Sequence, residues 1–352
     1  MASPRADRLV SLVEAAITRL DEGDIEGAEQ KIAQAARIDP RHPDVLSLQA
    51  SLAALDGELE RALELVAKAV ERAPEDVGVL INAADLALLA DPEVALGYAQ
   101  RAAELVEEED ELIAAVLIMA EAHLALENPA AAREALSELS SAVIDDATTI
   151  LDVAHAYLAA EDPTTAELWL RRLTSAQPSS GNGEDSEDES VAADAWHAIG
   201  QCREAKGDRD GMIHAWLETR RLDAALPPPA LSISDDELEE IATAALEELP
   251  AEVHTHLANV PILVDDLPAE HLVQDGWDPR LLGIFEGTPL PEQSAVGGAP
   301  SVTTIHLFKT NLERFVGDDR EALAEEIRVT ILHETAHYFG LDDDDLAKLG
   351  LD

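Results

Sequence analysis

One cysteine, Cys202, serves all 352 residues. No disulfide can form within the chain, and a lone thiol fits a reducing compartment. Aromatic residues make up only 3% of the sequence. A core without rings disfavours a β-sandwich and favours close-packed helices, for which the abundant alanine is suited. Basic residues are scarce as well: 24 Lys and Arg stand against 73 Asp and Glu, a formal net charge of −49. That balance excludes a phosphate backbone or an anionic membrane surface as partner and permits a basic one. No apolar run reaches the length of a membrane span, and the opening "MASPRADRLV" has no signal-peptide core. A soluble protein of the cytoplasm is the expectation.

Apolar residues are present in quantity, 47% of the chain, and the length suggests two domains. The first signal is periodicity. "EGDIEGAEQKIAQAARIDP" (22–40) realigns on "DGELERALELVAKAVERAP" (56–74). Small residues recur in one register at Ala16, Ala50, Ala83, Ala120, Ala154 and Gly200, with intervals of 34, 33, 37, 34 and 46. A second register runs through Ala28, Ala62, Ala95, Ala132 and Ala166, and Met212 breaks it. Small residues at fixed positions let the two helices of a hairpin approach closely. The long interval is explained by "SSGNGEDSEDES" (179–190), a polar, acidic, glycine-bearing stretch expected to be a loop. Trp196, Ile199 and Gly200 stand at a W-x2-L-G spacing, and Pro40, Pro74 and Pro178 punctuate the units. In these features residues 7–226 resemble a tetratricopeptide repeat array. The resemblance implies an α-solenoid with a groove that binds a protein or peptide, and no chemistry of its own.

Three prolines in "ALPPPALS" (225–232) mark a linker at 227–232, which divides an array over 1–226 from a second domain over 233–352. There, "SDDELEEIATAALEELP" reads as a helix capped by Ser234 or Asp235. "VPILV", "LLGIF" and "SVTTIHLF" read as strands. "DDREALAEEIRVTILHETAHYFG" (318–340) reads as a long helix capped by Asp318 or Asp319 and stopped at Gly340. The fold class is therefore mainly α: a solenoid followed by a small α+β domain.

The last helix carries the chemistry. His333 and His337 are four residues apart and share a helix face, so both imidazoles can point at one zinc ion. Glu334 falls beside such a metal and not on it, where a general base would take a proton from bound water. A catalytic zinc needs a third protein ligand. Asp343 suits it once Gly340 lets the chain reverse, with Asp342 or Asp344 as the alternatives. Tyr338 is a candidate hydrogen-bond donor to an oxyanion. His254, His256 and His306 read as ordinary polar or packed residues, and Cys202 as a small buried one.

Written out, the pattern is H-E-x-x-H-x-x-G-x-x-D, which resembles the metzincin zinc signature with aspartate as third ligand. With "NVPILVDDLP", "LLGIFEGTPL" and "VTTIHLFKTNL" it resembles the bacterial minimal zincins over 233–352. That resemblance implies a metallopeptidase domain with His333, His337 and Asp343 on zinc and Glu334 as base. Nine residues follow Asp343 and none is methionine, so the metzincin Met-turn is absent, as in the minimal family. Two functions follow: a zinc peptidase whose array recruits a substrate or partner, or an interaction scaffold with a structural or inactive zincin domain. Glu334 favours the first, since a scaffold needs no base beside its ligands.

Overall fold

The computed structural model describes residues 4–175, 185–229, 231–247, 260–287 and 304–340. Two compact units divide the chain, Met1–Leu170 and Arg171–Asp352.

The first unit is a stack of helical hairpins: α1 (Pro4–Asp21) with α2 (Ile25–Ile38), α3 (Pro43–Leu55) with α4 (Leu59–Arg72), α5 (Val77–Leu88) with α6 (Pro92–Leu105), and α7 (Glu109–Ala125) with α8 (Pro129–Leu136). A 3-10 turn and α9 (Ala147–Ala159) follow, and the unit boundary falls inside α10 (Pro163–Ser175). The small-residue register is realised in the packing. Ala16, Ala50, Ala83, Ala120 and Ala154 are buried, as are Ala28, Ala62, Ala95, Ala132 and Ala166. Carboxylates and an amide at the helix starts satisfy backbone donors: Asp24 accepts from the Gly27 amide at 2.9 Å, Asp76 from Val79 at 3.0 Å, and Asn128 from Ala131 at 3.2 Å. Part of the acidity is thus capping chemistry.

Another part opposes the fold. The protein around Asp85 (α5) and Glu121 (α7) displaces water and raises both carboxyl pKa values. The charges of Asp85 and Asp152 raise that of Glu121 further. A carboxyl whose folded pKa is raised costs stability when ionised, and the cost disappears as pH falls below its unfolded value. Glu121→Gln is therefore expected to raise the unit's melting temperature at pH 7. Below about pH 3.5, under the ordinary Glu value, most of the gain should vanish. Thermal melts at the two pH values check this; an equal gain at both would reject the electrostatic cause.

After the end of α10, the second unit contains another hairpin, α11 (Asp185–Ala205) and α12 (Arg209–Asp223). Helix α11 starts inside the stretch expected as a loop over 179–190, so residues 185–190 are helical; 176–184 lie outside the described residues. Gly200 of α11 lies directly on the Trp216 indole of α12, where a Cβ would overlap Nε1. The glycine of the W-x2-L-G spacing is required by that ring.

Beyond the non-helical proline segment come α13 (Asp235–Glu247), β1 (Ile262–Asp265), α14 (Glu270–Asp275), β2 (Gly283–Glu286), β3 (Thr304–Phe308), α15 (Lys309–Val316) and α16 (Arg320–Tyr338). Ser234 caps α13 and Asp319 caps α16. The sheet order is β1-β3-β2, with β1 parallel and β2 antiparallel to β3. Leu307 of β3, Leu238 and Ala242 of α13, Leu312 of α15, and Leu323, Ile327 and Ile331 of α16 form one core. That core fixes α16 against the sheet.

The unit boundary lies ahead of the proline linker because α11 and α12 pack onto the α+β part. Met212 and Trp216 of α12 meet Val273 of α14. Arg209 and Arg220 of α12 donate to the carbonyls of Asp275 and Pro268.

Candidate functional site

His333, Glu334 and His337 occupy the last turns of α16. The two imidazoles converge, with Nε2 to Nε2 at 3.0 Å and ring planes at 77°. Two ligands of a tetrahedral zinc at about 2.05 Å would stand about 3.3 Å apart, so the pair fits one ion with a small outward adjustment. Glu334 is 7% exposed and lies on the side of the helix that meets the sheet. Its approach is possible because β2 opens with glycine: a Cβ on Gly283 would stand 2.6 Å from Thr330 Cγ2 and 3.4 Å from Glu334 Cγ. The helix stops as the sequence expects. The Gly340 amide donates to the His337 carbonyl at 2.9 Å, and Gly340 takes a left-handed φ of 85° that favours glycine.

Tyr338 is 4% exposed. Its ring centroid is 5.6 Å from Phe285 of β2 and 5.2 Å from Phe339, which places the ring in an aromatic contact with the sheet. His306, in the middle of β3, is engaged on both nitrogens, Nδ1 at 2.8 Å from Asp265 and Nε2 at 3.4 Å from Glu286, and so links β3 to the last residues of β1 and β2. Cys202 is buried. Asp343, with its alternatives Asp342 and Asp344, lies outside the described residues, as do His254 and His256. Among the described residues no group of three or more His, Cys, Asp or Glu is placed to hold a metal.

Sequence reading did not find the charged cluster that supports β2. Arg280, in the loop from Gly276 to Leu282, donates from Nε and Nη2 to the two Asp223 oxygens at 3.0 Å each, and from Nη1 to Asp194 at 2.7 Å. Asp278 accepts from His197 Nε2 at 2.9 and 3.0 Å. Burial pushes the Asp278 carboxyl up, but the His197 and Arg280 donors outweigh it and hold it below the usual carboxylate range. Burial disfavours the Arg280 charge, and Asp223 and Asp194 more than restore it. Arg314 of α15 adds a donor to the Asp223 carbonyl at 2.9 Å. One signal was available: between Arg221 and Lys309, Arg280 is the sole Lys or Arg in the sequence.

The structure thus lays an HExxH helix against a small mixed sheet, with two converging imidazoles and the glutamate that follows the first of them buried. Residues 257–351 match the family model of the zincin-like metallopeptidases. No curated protein matches the chain. Among solved structures, PilF of Pseudomonas aeruginosa is similar at 17% identity and a TM-score of 0.47, covering 62% of this chain and 94% of its own. PilW, a type IV pilus biogenesis factor, is similar at 14% and 0.48, covering 60% and 92%. A tetratricopeptide repeat protein from Parabacteroides merdae is similar at 18% and 0.38, covering 71% and 97%.

Proposed function

We propose that the protein is a zinc-dependent peptidase of the cytoplasm whose helical repeats hold a protein or peptide partner. The observation that carries this is the 3.0 Å convergence of the His333 and His337 Nε2 atoms beside the buried Glu334. His333 and His337 would hold the zinc, with Asp343 the proposed third ligand. Zinc, when bound, supplies a Lewis acid that lowers the pKa of water and polarises a carbonyl. Glu334 takes the proton from the attacking water oxygen and returns it to the departing amine nitrogen as the C–N bond breaks. Its burial in a site closed by β2 keeps that carboxylate from bulk water. The outer edge of β2 has no strand partner among the described residues, so an extended peptide could pair there, next to Glu334. Tyr338, in contact with β2, is kept as the candidate oxyanion donor.

The net charge of −49 favours a partner rich in Lys and Arg. Hydrolysis of a peptide library, with and without a chelator, tests the reading. Cleavage that stops on chelation and returns with zinc supports it; cleavage indifferent to the chelator contradicts it and leaves the interaction scaffold.

A further inference from the structure

The strand that packs on Glu334 is held by helices that the repeat pattern assigns to the array. β2 begins at Gly283, against Thr330 and Glu334 of α16. The five residues before it, 278–282, are fixed from two directions. On one side the buried Asn311 Nδ2 of α15 donates to the carbonyls of Pro279 and Leu281, at 2.9 and 2.7 Å, and the Leu282 carbonyl accepts from Phe308 at 2.9 Å. On the other, Arg280 grips Asp194 of α11 and Asp223 of α12, and Asp278 grips His197 of α11. The His197 ring in turn stacks on Trp216, with planes 22° apart. A bidentate guanidinium–carboxylate pair fixes direction as well as distance, which a single ammonium contact does not.

We infer that Arg280 is a positioning residue for this site: its bridge to Asp194 and Asp223 fixes β2 in register against Glu334, so the α11–α12 hairpin is a working part of the metallopeptidase unit and not only the last repeat of the array. The kinetic part of this inference rests on the peptidase reading; the structural part does not. Without the Arg280 clamp the loop keeps only the single His197–Asp278 contact on the α11–α12 side, four residues or more from β2, and Gly283 can slide on α16. The histidines stay on their helix, so metal binding is untouched. What changes is the placing of the edge strand relative to the base.

The test uses the full chain as wild type, Arg280→Met, Arg280→Lys and Asp194→Asn. Hydrogen exchange over 283–286, zinc binding, and kcat and KM on a peptide taken from the library are measured. Arg280→Met is expected to speed exchange over 283–286 about tenfold relative to α13, whose core contacts are unaltered. It should leave zinc affinity unchanged and lower kcat by about 10–10²-fold with little change in KM, the scale of a misplaced reacting group. Arg280→Lys, which keeps the charge and loses the fork, should recover part of both effects. If Arg280→Met does not fold, Asp194→Asn, which leaves both Asp223 contacts in place, should show the same pattern at about two- to threefold. Unchanged exchange over 283–286 in the folded variants overturns the clamp, and so does a rise spread evenly over α13 and α16. A wild type that binds zinc but cleaves no peptide removes the peptidase reading, while the exchange result still decides the clamp.

Discussion

Glu334→Gln should lower peptide hydrolysis by about 10²–10⁴-fold, the usual worth of general acid–base catalysis. The substitution is nearly isosteric, so the close packing of the side chain over Gly283 is kept. The amide can still donate and accept hydrogen bonds, but it cannot take the proton from water. Fold and metal binding should both survive, because the residue sits between the ligands in sequence and one step around the helix from them. A variant that hydrolyses at the wild-type rate would remove Glu334 from the chemistry, and the scaffold reading would gain accordingly.

The second large effect concerns stability. Asp223→Ala should destabilise the second unit by about 3 kcal/mol, the lower end of the range for breaking a buried ion pair from one side. Asp223 is 3% exposed and takes two bonds from Arg280, while Arg314 Nη1 lies 3.6 Å away. Its removal leaves two guanidinium groups facing each other in a partly dry site. Burial already lowers the Arg314 pKa, with Asp223 among the groups opposing that shift. Asp194→Ala removes one contact from a side chain that is 40% exposed and should cost less than about 1 kcal/mol. Denaturant melts of the two variants give the comparison. Equal costs would mean that burial does not govern the cluster.

The parts of the fold that were legible in the sequence are those with a fixed period or a local cap. Alanine at Ala16, Ala50 and Ala83 signals close helix contact because the same register recurs. Asp319 marks the start of α16, and Gly340 its left-handed stop, by chemistry confined to a few residues. The histidine pair is legible for the same reason, since four residues on a helix define one face. Short helices escaped. α14 has six residues, and α15 follows β3 with no breaker in "HLFKTNL" to separate them. The allegiance of α11 and α12 escaped too. Their hairpin carries the same small-residue register as the repeats before it, while the residues that bind it to the α+β part are 57 and 86 positions away in sequence. Pairing at such distance leaves no local periodicity. The lone Arg280 in a long cation-free stretch was the trace it did leave.

The central claim is that His333 and His337 form a metal site with Glu334 beside it and not in it. Metal content per purified chain, measured after zinc loading and desalting, tests it most directly. The account gives about one zinc in wild type and in Glu334→Gln, and none in His333→Ala or His337→Ala with the fold intact by circular dichroism. Loss of zinc in Glu334→Gln, or its retention when either histidine is removed, would contradict it.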